Sequence, residues 1–407
     1  MRRILAALLL ALPSPAFADT LVDNVDGFTF TAEGRIQRFN GLLIGNDGRI
    51  AQIFQRGDKR PQRADYRLDG KGRVLMPGLV DAHVDLMGLG LTLLGPASDH
   101  ARPRPEDRDD ALTKAQQFLL ERGVTTVTDM GTSIEAWQAY RRAGDMGRLS
   151  IRIVGFAASV DDMVLIAGPG PSPWLYEDRL RLGGLRIAFT APPPPPVGSR
   201  PTSPALVARE RQPAIQLKNL LSRAAIDGFQ SAVELADARS VSPVLDAIAE
   251  MQQTYKGDRR WRIDMPVAPD TADLPRIAQL GVSIALMPPP GGTVPAIPSL
   301  SGPESATVRY SLGSGAPFGK VEPFSVIAAA VPRESALAGM TSGAASAAQA
   351  EGRLGRISVG QRADFLLVAS DPMLAAPSDL RAFEVLQTWI NGKAAWQAKE
   401  EAPSVPR

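Results

Sequence analysis

The chain of 407 residues contains no cysteine and only two histidines, His83 and His100. The absence of cysteine excludes disulfides, thiolate metal ligands and a cysteine nucleophile. The scarcity of histidine restricts an imidazole metal ligand or a Ser-His-Asp triad to His83 or His100. The sequence also lacks a G-x-S-x-G elbow and a P-loop, so two common catalytic motifs are absent.

The chain also lacks an apolar run long enough to span a bilayer as a helix. Its N-terminus has the three parts of a secretory signal: Arg2-Arg3, the apolar stretch 4–12, and an A-x-A cleavage site ending at Ala18. The alternative is that this stretch forms an apolar first element of the fold. We expect a soluble chain that is cleaved near Ala18 and is periplasmic or secreted, with no membrane insertion.

The charge balance is close to neutral. The formal net charge is +2 and falls to zero when Arg2 and Arg3 leave with the signal. Nothing in this balance favours nucleic acid or an anionic membrane surface as a partner. Hydrophobic residues at 44% and charged residues at 22% are ordinary for a soluble globular protein.

Strand-like and helix-like segments alternate through the middle of the chain. This alternation is typical of βα units and predicts an α/β fold with a (β/α)₈ TIM-like barrel. Amphipathic segments such as Asp109–Arg122 and Val241–Gln253 separate the strands. The predicted strands are Leu79–Val84, Val124–Asp129, Ile151–Phe156, Leu185–Phe189, Ser231–Leu235, Trp261–Met265, Ser283–Met287 and Val308–Leu312.

Short apolar runs separated by turn residues lie at both ends of the chain and predict a small β-sandwich domain built from the two ends. We expect a signal peptide at 1–18, the N-terminal part of the β domain at 19–75, the barrel at 76–345, and the C-terminal part of the β domain at 346–407. The proline run Pro192–Pro196 predicts an extended loop after the fourth barrel strand, where a proline-binding partner is the alternative function.

The stretch 74–86 reads VLMPGLVDAHVDL. It resembles the first barrel strand of the amidohydrolase superfamily, which usually reads PGLIDAHVHL. In that family two histidines, separated by one residue, lie on one side of the strand and bind a divalent metal. Here His83 stands at the first histidine and Asp85 at the second. The resemblance implies hydrolysis of non-peptide C–N bonds at the carboxyl ends of the barrel strands.

Further motifs are similar to the branch that includes N-substituted formamide deformylases, which is amidohydrolase 3-like. Residues 88–91 read GLGL, and residues 123–132 read GVTTVTDMGT, as in that branch. Residues 355–368 and 386–393 resemble the C-terminal part of amidohydrolases, which commonly reads G-x-I-x-x-G-x-x-A-D and ends in V-N-G-K. Less chain separates the first two motifs here than in those relatives.

The other metal-ligand positions of the family are substituted. The resemblance places Glu234 at the histidine of FQVAVHAIGD, Met265 at the histidine of RIEH, and Gly315 at the aspartate of GSDAP. Arg186 stands where lysine is common after the fourth strand. A thioether is a poor ligand for a hard catalytic dication, and glycine offers no ligand. The resemblance therefore implies a degenerate metal site that has lost its general base as well.

A reduced site is still conceivable. His83, Asp85 and Glu234 could converge at the barrel mouth and hold one Zn²⁺ or Mn²⁺ ion. In the alternative arrangement Asp85 and Glu234 lie in a solvated cleft and His83 hydrogen-bonds to the backbone. His100 is expected on the surface. Whether Arg186 closes the site through a salt bridge to Glu234 is left open by the sequence.

Three carboxylates are weaker candidates for acid–base catalysis: Glu234, Asp237 and Asp129. Asp129 and Asp264, near strand ends, could pair with Glu234 to act on a sugar-like ligand. We favour an exported, non-catalytic amidohydrolase-fold protein without a cofactor, whose barrel binds a small molecule or a partner protein. The alternatives are an active C–N hydrolase with the altered His83, Asp85 and Glu234 site, and a structural or assembly role.

Overall fold

The computed structural model describes residues 19–95, 103–192, 204–288, 308–330 and 332–399. The predicted signal peptide, His100 and most of the proline run Pro192–Pro196 lie outside these residues. The predictions for these three segments therefore remain predictions.

The N-terminal part of the chain forms short strands, as the turn-rich sequence predicts. They are β1 (Thr20–Asp23), β2 (Asp26–Phe30), β3 (Ile36–Phe39), β4 (Gly41–Ile44), β5 (Ile50–Phe54), β6 (Tyr66–Asp69) and β7 (Val74–Pro77).

Eight parallel strands follow and form the barrel. They are β8 (Leu79–Val84), β9 (Val124–Thr132), β10 (Arg152–Ala157), β11 (Leu180–Phe189), β12 (Gln230–Leu235), β13 (Arg262–Met265), β14 (Ser283–Leu286) and β15 (Arg309–Leu312). They pair in sequence order from β8 to β15. The first and last strands approach each other, and a parallel bridge joins Val84 to Ala316, so the barrel is nearly closed.

Three C-terminal strands complete the β structure: β16 (Phe365–Val368), β17 (Val385–Ile390) and β18 (Lys393–Gln397). They pair with N-terminal strands in a six-stranded sheet ordered β18-β17-β16-β7-β2-β3, whereas β5-β4-β1-β6 form a separate four-stranded sheet. The barrel with a small β domain built from both chain ends is confirmed. The turn Asn391-Gly392 joins β17 to β18 with positive φ at both residues, as its sequence predicts.

Helices lie between and after the barrel strands. They are α1 (Leu86–Leu94), α2 (Pro105–Leu120), α3 (Ile134–Asp145), α4 (Val160–Ala167), α5 (Pro204–Ile226), α6 (Val241–Thr254), α7 (Leu274–Gln279), α8 (Pro323–Ala329), α9 (Arg333–Gly339), α10 (Ser342–Ala347) and α11 (Pro377–Arg381). Among the described residues, no helix combines the length and the apolar character needed to cross a bilayer.

All eight predicted barrel strands are present: β8 has the predicted bounds, and the other seven have shifted ends. The largest shift is in β11, which starts at Leu180, whereas the sequence predicts Leu185. The difference arises at Gly183-Gly184, a pair that normally weakens a strand. A Cβ on Gly184 would lie 2.3 Å from the ring of Phe156, so glycine is required there for β11 to pack beside β10.

Candidate functional site

His83 lies near the end of β8, where its backbone is hydrogen-bonded to the Asp81 carboxylate and to the segment that follows the last strand. Its backbone N–H donates to Oδ1 of Asp81 at 3.0 Å, and its carbonyl accepts from Gly315 at 2.9 Å. A Cβ on Gly313 would lie 2.5 Å from His83 N, so the end of β15 can approach β8 only with glycine there. His83 is 7% exposed and its side chain is fixed as well.

The His83 side chain contacts a carboxylate across the barrel. Its Nδ1 lies 2.7 Å from Oδ2 of Asp264 on β13. Because a carboxylate can only accept, His83 donates through Nδ1, which leaves Nε2 for any other ligand. The expected alternative, a hydrogen bond from the His83 side chain to the backbone, is therefore corrected by this contact.

Asp264 is also bound by an arginine on its own strand. Arg262 and Asp264 are two residues apart on β13, so their side chains share one face. Nε of Arg262 donates to Oδ1 of Asp264 at 2.6 Å, and Nη2 donates to Oδ2 at 2.7 Å and to the carbonyl of Ala82 on β8. The guanidinium lies 5.5 Å from the ring centre of Phe156. We call these three side chains the His83–Asp264–Arg262 network.

This network is an ion pair inside the barrel, because Arg262 and Asp264 are both 0% exposed. Burial by itself would raise the pKa of Asp264, but the Arg262 charge and the hydrogen bonds from His83 and Arg262 hold that pKa below its usual value. Asp264 is therefore ionised and balances the guanidinium. Nη1 of Arg262 is buried with no hydrogen-bond partner among the described residues.

Asp85, the residue at the second histidine position, caps a helix. It is the N-cap of α1, and its Oδ1 accepts from Gly88 N at 2.8 Å. An N-cap carboxylate satisfies an N–H group that has no partner within the helix. The Asp85 backbone N–H donates to the Ala316 carbonyl at 2.8 Å, which helps to close the barrel.

Glu234 lies near the end of β12 and pairs with an arginine from the neighbouring strand. Nε of Arg186 is 2.5 Å from Oε2 of Glu234, and the side chains are 34% and 26% exposed. The salt bridge that the sequence left open is therefore present. The residue at the usual lysine position thus neutralises the carboxylate at the usual histidine position.

The other two catalytic candidates, Asp129 and Asp237, are hydrogen-bonded to neighbouring groups of the fold. Asp129 accepts from Leu86 N at 2.9 Å, from the Thr132 hydroxyl at 2.6 Å and from the Tyr140 hydroxyl at 2.9 Å. Burial and the nearby charge of Asp85 raise the pKa of Asp129 to about 6.

Asp237 is the N-cap of the 3₁₀ turn Ala238–Ser240 and pairs with Arg239 at 2.6 Å. The Arg239 hydrogen bond lowers the pKa of Asp237 below its usual value, against a small opposing effect of burial. The predicted pairing of Asp129 and Asp264 with Glu234 is not among the described contacts, since each of these carboxylates has other partners.

A catalytic dication needs about three or four N or O donors around an open position. Among the described residues, no group of three or more His, Asp and Glu side chains is placed to hold a metal ion. His83, Asp85 and Glu234 each serve a different partner, so the structure does not bring them together as a ligand set. Met265 is fully buried, and Gly315 has a φ of +67°. The residues at these positions therefore do not fit the divalent metal ion that the family resemblance implies.

Sequence reasoning missed the role of Arg262. The sequence indicated that residues 262–265 resemble a metal-binding motif that lacks its histidine, and that Asp264 could pair with Glu234. The spacing of Arg262 and Asp264 on one strand was a sufficient signal for their contact, since alternate residues share a face. The contact of Asp264 with His83 required knowledge of how the barrel closes.

A nearly closed (β/α)₈ barrel with a β domain from both chain ends, and a histidine at the end of the first strand, defines a class of barrel proteins related to metal-dependent hydrolases. A profile of the amidohydrolase family matches residues 92–395, which is well over half of the chain. The chain therefore belongs to the amidohydrolase family.

Three relatives are similar in sequence. A deacetylase of Agrobacterium fabrum is 32% identical over 124 residues, covering 30% of this chain and 25% of that protein. The protein LONG AFTER FAR-RED 3 of Arabidopsis thaliana is 26% identical over 346 residues, covering 71% and 57%. An imidazolonepropionase of Stenotrophomonas maltophilia is 39% identical over 72 residues, covering 18% of each. The chain thus spans between 18% and 57% of the lengths of these curated relatives.

Solved structures share the fold. An uncharacterized metal-dependent hydrolase from Pyrococcus furiosus has a TM-score of 0.67 at 17% identity, covering 87% of this chain and all of that chain. An adenosine deaminase from Xanthomonas campestris with bound zinc has a TM-score of 0.64 at 18% identity, covering 93% and 92%. At these identities the likeness shows the fold alone.

Proposed function

We propose that this amidohydrolase-family chain has lost its metal centre and acts as a non-catalytic scaffold, in which the His83–Asp264–Arg262 network holds His83. Its barrel mouth binds a small molecule or a partner protein. The observation that carries the proposal is the buried ion pair of Arg262 and Asp264. The Asp264 carboxylate also binds His83, the only histidine of the described residues.

The charge balance of the His83–Asp264–Arg262 network supports the proposed loss of the metal centre. In a metal centre of this type a dication is balanced by anionic and imidazole ligands and keeps an open position for water. Here the single positive charge of Arg262 is balanced by Asp264. Asp264 therefore offers no uncompensated charge to balance a dication.

The loss of the catalytic base supports the same proposal. The family aspartate that would accept a proton from the attacking water is Gly315 in this chain. No other carboxylate replaces it, because Asp129, Glu234 and Asp264 are each bound to donors within the described part of the chain. Water activation by the family mechanism therefore has neither the metal donors nor the base.

The alternative function is hydrolysis of C–N bonds with an altered site of His83, Asp85 and Glu234 that holds one Zn²⁺ or Mn²⁺. The free Nε2 of His83 favours it, since metal-bound histidines commonly donate their other nitrogen to a carboxylate. The names of the deacetylase and imidazolonepropionase relatives point to the same bond class. Nε2 of His83 is a single donor, whereas a catalytic dication needs about three or four.

An assay of amide and N-substituted formamide hydrolysis separates the two functions. We expect wild-type protein to show no hydrolysis above the uncatalysed rate with added Zn²⁺ or Mn²⁺. Hydrolysis that is abolished in both His83→Ala and Glu234→Ala, and kept in the matched surface variant Glu250→Ala, would establish the alternative and refute the scaffold.

We further propose that the chain is exported and belongs beside the N-substituted formamide deformylases. The basic, apolar and small-residue order of residues 2–18 supports export, and the GLGL and GVTTVTDMGT motifs support the branch. Intact-mass measurement of the protein expressed with its own N-terminus should give a chain that starts at Asp19. A full-length chain retained in the cytoplasm would refute export.

A further inference from the structure

A pocket lies at the end of the barrel opposite to His83, where strands β10 and β11 begin. It has a volume of about 220 Å³ and lies between residues 147–150, which precede β10, and the start of β18. Three cationic side chains line it: Arg148, Arg179 and Lys393. No aspartate or glutamate is among the described residues of its wall. The charged side chains of the pocket wall are therefore all positive.

Arg179 is the half-buried member of this group, and the turn before it determines its surroundings. Tyr176, Glu177 and Asp178 all have positive φ, an unusual conformation for three successive residues with side chains. This turn directs Asp178 away from Arg179. The Asp178 carboxylate instead pairs with three other arginines, Arg49, Arg353 and Arg362, at 2.8 to 2.9 Å.

The remaining carboxylates near Arg179 are also occupied. Asp364 accepts from Nε and Nη2 of Arg152 at 2.5 and 2.8 Å, and Glu177 accepts from the Asn391 amide at 2.7 Å. Burial and the charge of Arg152 lower the pKa of Arg179 from its usual value. Among the described residues, the Arg179 side chain has neither an ion pair nor a hydrogen bond. It is a partly desolvated cation that Asp364 and Glu177 attract without a direct ion-pair contact.

The other two cations are free to bind a ligand as well. Arg148 and Lys393 are exposed, and no side-chain hydrogen bond or ion pair engages either within the described ranges. Arg148 sits on one wall and Lys393 on the other. Three cations around a concave space are the usual recognition chemistry for an oxyanion, because guanidinium and ammonium groups form charge-assisted hydrogen bonds with its oxygens.

We propose that the Arg148–Arg179–Lys393 pocket binds a small phosphate-type oxyanion. The anion supplies a direct ion-pair contact to Arg179 and bridges the barrel to the six-stranded sheet. The volume has room for the anion and several waters, since a water occupies about 30 Å³ of liquid. The anion could be free inorganic phosphate or the phosphate group of a monoester, and both use the same chemistry.

Equilibrium dialysis with labelled inorganic phosphate at fixed ionic strength tests the pocket on the full-length protein. We expect one saturable site that potassium chloride does not displace. Arg179→Gln should weaken binding by about tenfold or more, the effect of losing one strong charge-assisted hydrogen bond. Arg35→Gln, an exposed arginine outside the pocket, should bind phosphate like wild type.

Lys393→Gln provides a second variant that does not depend on the folding of a buried position, because Lys393 is exposed. It should weaken phosphate binding by about threefold or more, since an exposed ammonium contact is screened by water and contributes less than the half-buried guanidinium. Competition with glycerol phosphate then distinguishes the sources: stronger competition than by inorganic phosphate indicates a monoester ligand, and weaker competition indicates the free ion. Absence of saturable phosphate binding, or equal binding by wild type and both pocket variants, would overturn the proposal.

Discussion

Arg262 carries a positive charge into the interior of the barrel. Such a charge is tolerated only with a partner, because an unpaired ion in a protein interior is strongly unfavourable. Asp264 provides the partner in a two-bond contact, and His83 binds the same carboxylate. The three residues therefore depend on one another more than they do on any ligand.

Replacing one member of the ion pair should be far more damaging than replacing both. We expect Arg262→Met to lower the free energy of unfolding by about 3 to 5 kcal/mol, because it leaves Asp264 buried without its counter-charge. The double variant Arg262→Met with Asp264→Leu should recover most of this loss, since no buried charge remains. Urea denaturation measures all variants.

An exposed pair serves as the matched control. Arg276 pairs with Asp246, and their side chains are 36% and 67% exposed. Arg276→Met should lower the free energy of unfolding by less than about 1 kcal/mol. Equal losses of unfolding free energy for the Arg262 and Arg276 variants would contradict this account of the buried pair. A double variant as unstable as Arg262→Met would contradict it as well.

Asp129 should make the stability of the protein depend on pH. Its pKa is raised from 3.8 to about 6, so the folded state keeps a proton that the unfolded state has lost between these values. The stability from Asp129 is present below about pH 4 and is lost as pH rises through about 6. Relative to Asp129→Asn, wild type should lose up to about 3 kcal/mol across this window.

The measurement is the difference in unfolding free energy between wild type and Asp129→Asn at pH 4 to 7. The other carboxylates are common to both proteins, so the difference isolates Asp129. A difference that does not change with pH would contradict the raised pKa.

At the scale of elements, the start of α1 shows how a metal-ligand position can acquire a structural role. Asp85 follows β8 directly and caps α1 through Gly88 N. Glycine at 88 allows this close approach, since a Cβ there would lie 2.3 Å from a carboxylate oxygen of Asp85. The GLGL sequence therefore has a packing reason in this chain.

The cap can be tested separately from the charge of Asp85. Asparagine caps helices as well as aspartate does, whereas alanine does not. Both replacements remove the charge that raises the pKa of Asp129. We therefore expect Asp85→Asn to be more stable to urea than Asp85→Ala by about 1 kcal/mol. Two variants of equal stability would show that the cap contributes nothing.

The strands of the barrel were predictable from the sequence, because buried parallel strands are short apolar runs bounded by turns. Their ends were less predictable. The extension of β11 depends on Gly184 fitting against Phe156, a contact between two strands. The site was predictable only in part: the substituted residues could be read from the motif, but the contact between His83 and Asp264 joins residues 181 positions apart.

For the whole molecule, a buried ion pair joins the barrel to the β domain. Arg152 at the start of β10 binds Asp364, next to β16 of the six-stranded sheet, through two hydrogen bonds. Asp364 also accepts from the Asn391 backbone N–H at the end of β17. Asp364, the aspartate of the A-D sequence in the C-terminal motif, therefore links the barrel to the β domain.

The central claim is that the barrel holds an ion-pair network instead of a metal. Elemental analysis tests it most directly, on mature protein purified without chelator and then dialysed against Zn²⁺ and Mn²⁺. We predict no tightly held ion, and the same metal content in wild type and His83→Ala, because no three donors surround one position within the described residues. About one ion per chain in wild type that is lost in His83→Ala would contradict the claim.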